Sequence, residues 1–103
     1  MPNIQPIKER KEKMKVIYKY PISLRRVKTE LLIPVGFKYL DIQVQDGKLV
    51  LWALVDRDVE SSQLVTLYTH GTGVPVEDES TVKTYLKTVR DGRFVWHIFG
   101  DLK

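Results

Sequence analysis

Cysteine is absent from the 103 residues, which removes disulfides, thiolate nucleophiles and cysteine-ligated zinc together. Histidine is nearly as scarce, with only His70 and His97. Neither an H-x-H nor an i, i+4 spacing links them, and a metal centre would have to recruit carboxylates such as Asp56 or Asp58 from elsewhere. No metal site is therefore expected. No apolar run approaches the roughly 18 to 20 residues that cross a bilayer, and the first residues carry no apolar segment of the signal-peptide kind. The expectation is a cytoplasmic chain without membrane contact. Helical apolar spacing is also missing over any window of about eleven residues, apart from a turn near Glu77 to Thr81.

What remains is ordinary for a folded domain. Hydrophobic residues make up 43% and charged residues 29%, and the length suits one hydrophobic core and not two. The formal net charge of +4 is unevenly spread. Lys8, Arg10, Lys11 and Lys13 face only Glu9 and Glu12 in the first thirteen residues, so half the excess sits there and the rest of the chain is close to balanced. Residues 1–13, with two prolines and no apolar periodicity, read as a flexible basic extension, and 14–103 as a β-rich domain.

Short strand patterns follow one another from Met14 onward. Val16, Tyr18 and Tyr20 alternate with Ile17 and Lys19 until Pro21, which is expected to end the first strand. "TELLIPVG" gives a second, stopped by Pro34 and Gly36. In "YLDIQVQDGKLVLWALVD" the Asp46-Gly47 step accepts the positive φ angles of a two-residue hairpin turn. That turn places Val44 opposite Leu49, Ile42 opposite Leu51 and Leu40 opposite Ala53. Residues 49–55 are apolar on both faces and should be central; 39–45 should have one wet face. "SQLVTLYTH" supplies another strand, followed by the loop "GVPVEDES".

A second hairpin pattern, "VKTYLKTVRDGRFVWHIFG", turns at Asp91-Gly92. It pairs Val89 with Phe94, Lys87 with Trp96 and Tyr85 with Ile98, leaving Leu86, Val95, His97 and Phe99 on the other face. The two hairpins look alike at an offset of about 45 residues, a likeness many unrelated hairpins share. The expected fold is mainly β, a single-domain antiparallel β-sandwich or partly open barrel of six or seven strands with at most one short helix. The two-faced strands need covering, by a second sheet or by another subunit.

Residues able to carry chemistry are sparse. In "THGTGVP" a glycine pair flanks a threonine beside a histidine. Backbone N–H groups in such a loop can form a nest for phosphate or carboxylate, with His70, Gly71, Thr72 and Gly73 as the binding set; two glycines at a strand exit more often just supply the left-handed angles of a turn. The pattern is far from a phosphate loop of G-x-x-x-x-G-K-[ST] type. His97, between Trp96 and Ile98, reads as a hydrogen-bonded, partly buried core histidine. Ser23, Ser61, Ser62 and Ser80 lack any nucleophile motif, and Asp56, Asp58 and Glu60 leave a strand for a loop. No catalytic set and no cofactor are expected, so the chain reads as a binding protein and not an enzyme. Tyr18, Tyr20 and Tyr39 with Lys15, Lys19, Arg25, Arg26 and Lys28 offer an alternative, a sheet surface for single-stranded nucleic acid.

"MKVIYKYP" (14–21), "LWALVD" (51–56), "GTGVP" (71–75) and "VWHIF" (95–99), in this order and spacing, resemble a family of small, functionally uncharacterised proteins of tailed phages and prophages. The resemblance spans residues 14–99. Trp52, Trp96, Gly71, Gly73, Pro75 and His97 fit the family's pattern, whereas Val74 stands where family members often carry histidine, so no role of that histidine carries over. The resemblance implies a phage-encoded accessory protein in the cytoplasm of an infected bacterial host. The leading expectation is that it binds and modulates a host protein, of a defence system for example. Val50, Trp52 and Leu54 form an apolar face for that partner or for a second copy of the chain. The remaining alternative is capture of a phosphorylated small molecule or nucleotide at the GTG loop.

Overall fold

The computed structural model describes residues 14–102; the basic extension expected over 1–13 lies outside them. Seven strands and one short helix follow in order: β1 Lys15–Ile22, β2 Lys28–Pro34, β3 Lys38–Gln45, β4 Lys48–Asp56, β5 Ser62–Gly71, α1 Asp78–Thr81, β6 Thr84–Asp91 and β7 Phe94–Gly100. They form two sheets, β1-β4-β3 and β2-β5-β7-β6, with every pair antiparallel.

Period-two alternation decides how the sheets meet. Leu49, Leu51, Ala53 and Val55 of β4 join Ile22 and Ile42 from the first sheet. Leu31, Ile33, Val65, Leu67, Val89 and Ile98 face them from the second. The chain is thus a β-sandwich and not a closed barrel, and its own second sheet covers the two-faced strands. Leu51 and Ile98 are fully buried; truncating either to alanine should cost about 2–5 kcal/mol.

Four local expectations are corrected. Pro21 does not end β1, which continues to Ile22, because an edge strand needs no donor on its outward side. Leu40 does not face Ala53: the register shifts between Tyr39 and Asp41, so Tyr39 takes that place and Leu40 is exposed as the extra residue of a β-bulge. The second hairpin turns on Gly92-Arg93, pairing Asp91 with Phe94 and Val89 with Trp96. Asp46 and Gly47 both have positive φ (52° and 75°), whereas in the second turn Gly92 does (64°). This is the difference between a type I′ turn and a type II′ turn with glycine first. Finally, a shift between Tyr85 and Lys87 sets Tyr85 opposite Phe99 and lets Leu86 pack on the core.

Ile22 pairs with Leu49, next to the Asp46-Gly47 turn, and residues 23–27 cross from there to the second sheet. One end of the sandwich therefore collects the 23–27 crossover, both hairpin turns and the loop after Gly71. The short helix α1 packs against β7, and Tyr68 Oη donates to Glu79 Oε1 at 3.2 Å.

Candidate functional site

At this loop-rich end β5 outruns β2. The last β2 partner is Lys28, opposite Tyr68; Thr69 N then donates to Val27 O at 2.8 Å, and the chain bends away. The bend is held by Arg25 N donating to Ser23 Oγ and Ser23 N donating to Thr29 Oγ1, both at 3.1 Å. On its other flank β5 stays paired with β7 as far as Gly71 opposite Trp96. The result is a cleft of about 180 Å³ whose lining includes Arg25, Arg26, Thr69, His70, Val74 and Trp96.

The polar accounting of this cleft is unusual. Thr69 Oγ1 and Trp96 Nε1 are buried with no hydrogen-bond partner among the described residues, Thr69 being only 5% exposed; both His70 ring nitrogens are unpaired as well, but the ring lies on the opposite face of β5, across from His97. Buried polar groups are normally paired, and each unpaired one costs about 1–3 kcal/mol. Arg25 and Arg26 are exposed at the rim, and neither enters an ion pair among the described residues.

The GTG loop divides this cleft from a neighbour. Val74 N donates back to Gly71 O at 3.3 Å, and Gly73 adopts φ +86°, a left-handed angle suited to glycine. Thr72 Oγ1 lies 2.7 Å from Nε2 of His97, the residue opposite His70 in the β5–β7 pair. His97 Nδ1 is 3.0 Å from Thr88 Oγ1, itself 2.6 Å from Tyr85 Oη. This chain of four polar side chains ties the loop to the second sheet. Beyond it opens a cleft of about 390 Å³ lined by Gly71, Thr72, Arg93, Phe94 and Trp96 among others. There the Phe94 and Trp96 rings stack at 6.2 Å and 22°, and Arg93 Cζ stands 6.0 Å over Phe94.

The expected site residues therefore occupy different places. His70, Gly71, Thr72 and Gly73 stand together at this end, though His70 is buried against Phe99, ring centroids 6.0 Å apart. His97 is hydrogen-bonded as expected but half-buried on the outer face of the second sheet. Trp52 lies on the outer face of the first sheet, with Lys19 Nζ 5.9 Å from its ring centre. Tyr18 and Tyr20 pair with Ala53 and Leu51 on the inward side of β1, opposite Lys15 and Lys19, so the tyrosines and those lysines do not share one surface. Arg25, Arg26, Arg93 and Phe94 were not singled out for the cleft by sequence. The signal available was that 23–27 and 92–93 both connect strands leading to the GTG end. Among the described residues no cluster of three metal-ligating side chains occurs, and both partners of the His97 ring are threonines.

The family model of a domain of unknown function, DUF7352, matches residues 14–103. The chain belongs to this family. Comparison with curated proteins and with solved structures finds no match. The DUF7352 region takes in all seven strands, both clefts and the loop that parts them.

Proposed function

We propose that this domain works by binding, and that its ligand is a small anion-bearing molecule seated at the GTG end of the sandwich. The observation that carries the reading is the meeting, at one cleft, of two arginines free of ion pairs among the described residues with the unpaired buried hydroxyl of Thr69 and indole N–H of Trp96. A phosphate or carboxylate offers acceptors to both guanidinium forks and to the indole N–H. Calorimetric titration of the full chain with phosphate, pyrophosphate and small phosphorylated sugars tests this. At least one should bind, and the Arg25→Ala/Arg26→Ala variant should lose at least about tenfold in affinity with an unchanged melting temperature. Absence of binding by every probe overturns the reading.

The four-segment likeness supports placing the chain in a phage or prophage, so that the ligand is one met inside an infected bacterium. A second reading, docking of a host protein, has its own support on the first sheet. Ile17 is 57% exposed there and lies opposite Leu54, beside Lys19 opposite Trp52 and Pro21 opposite Val50. Although Val50 is buried and Lys19 reaches over Trp52, the exposed Ile17 leaves apolar surface of the kind that suits a protein partner. Recovery of one host protein by the wild type, but not by Ile17→Asp, is the expected result; equal recovery by both removes this stripe as the contact.

A further inference from the structure

We infer that the ligand is a nucleotide, its phosphate in the arginine-rimmed cleft and its base in the neighbouring cleft against Phe94. This rests on the anion reading above and adds the second half of the ligand to it.

The two clefts share Gly71, Val74 and Trp96 as a common wall, so one molecule can enter both. Their chemistry differs sharply. One offers guanidinium groups and unpaired buried donors and acceptors. The other offers aromatic surface: Phe94 is 56% exposed although it stacks on Trp96, and Arg93 reaches over its ring. An exposed phenylalanine at a hairpin end stabilises the fold little, whereas a flat ring beside a guanidinium is the surface on which a nucleobase stacks. At Gly71 an added Cβ would make ordinary contact with Val74 Cγ2 and Trp96 Cζ3, at 3.5 and 3.6 Å, so the wall between the clefts is thin. The GTG loop is held in place beforehand by the Thr72–His97 contact, which lowers the cost of ordering it around a ligand.

Calorimetry on the full chain with adenosine monophosphate, ribose 5-phosphate and adenosine separates the two claims. The nucleotide should bind at least about tenfold more tightly than ribose 5-phosphate, in keeping with one base stacked on an aromatic ring. Phe94→Ala should erase that margin while leaving ribose 5-phosphate unchanged and the circular dichroism spectrum intact. In a Trp52→Phe background, which leaves Trp96 as the sole tryptophan, its fluorescence should change with both phosphates, and more with the nucleotide, because Trp96 borders both clefts. Equal affinity for the two phosphates overturns the nucleotide assignment and leaves the anion site standing. Binding of neither overturns both, and tight binding of adenosine alone removes the phosphate half.

Discussion

Asp41 and Lys87 meet across the open edges of the two sheets, Oδ1 to Nζ at 2.6 Å. Each follows a Tyr-Leu step at which its strand shifts register, Tyr39-Leu40 in β3 and Tyr85-Leu86 in β6. The hydrogen bond from Lys87 holds the Asp41 carboxyl below the ordinary carboxylate range; burial opposes this, and the Ile42 N–H and Gln43 amide assist.

With its folded value depressed, Asp41 contributes stability that is complete above the unfolded value of about 3.9 and is lost as pH falls through the lower folded value. Both side chains are roughly one-third exposed, so solvent screening limits the pair to about 0.5–1 kcal/mol. Asp41→Asn, Lys87→Met and the double variant, melted at pH 7, should give a coupling energy of that size. At pH 2 the coupling should shrink; a coupling of the same size there would contradict the assignment.

Thr72→Val and His97→Phe should loosen the GTG loop without unfolding the sandwich. Thr72→Val removes one hydrogen bond of the Thr72–His97–Thr88–Tyr85 chain and His97→Phe removes two, each worth about 0.5–1.5 kcal/mol. Amide exchange should quicken at Thr72 to Val74 and stay unchanged at Leu51 and Val65 in the core. Uniform quickening across both sheets would mean the chain supports the fold and not the loop.

Gly100→Ala and Gly47→Ala should both destabilise, for opposite reasons. At Gly100 a Cβ would come within 2.5 Å of Leu67 Cδ2 and 3.1 Å of the Thr66 carbonyl oxygen, an overpacking that costs about 1–3 kcal/mol. At Gly47 nothing lies within 4 Å and the φ of +75° alone resists a side chain. Asparagine, which tolerates this angle, should recover most of the loss at position 47 and none at position 100 in thermal melts.

Spectrophotometric titration should find Tyr20 and Tyr39 ionising above the ordinary phenol range. Burial is the first cause at both, joined by Tyr18 at Tyr20 and by Asp41 and Tyr85 at Tyr39. With raised folded values, their contribution is present below the unfolded phenol value and is lost as pH rises through the folded ones. Replacing both by phenylalanine should therefore flatten part of the alkaline fall in stability; an unaltered alkaline limb would rule them out as its source.

Local chemistry made the hairpins, the central place of β4 and the sandwich legible from sequence. Asp46-Gly47 dictates its own turn, and a strand apolar on both faces must lie inside a sheet. The Gly92-Arg93 turn was misread because Asp91-Gly92 suits a type I′ turn equally well as a dipeptide. The choice falls to pairing across the strands, where Trp96 opposite Val89 packs on the core. The bulges at Leu40 and Leu86 leave no mark in a period-two pattern either. The GTG loop was visible, but Arg25 and Arg26 reach it from more than forty residues away along the chain through a crossover between sheets. No spacing rule records that proximity.

Pro21 gives the flank of β1 a second property. A strand from another molecule docking there would find a rung missing near the end of the ladder, where the imide nitrogen has nothing to donate. Growth of fibrils by ribbon addition along that side is thereby discouraged, and the tyrosine-bearing strand can remain at the surface of a concentrated solution without seeding them.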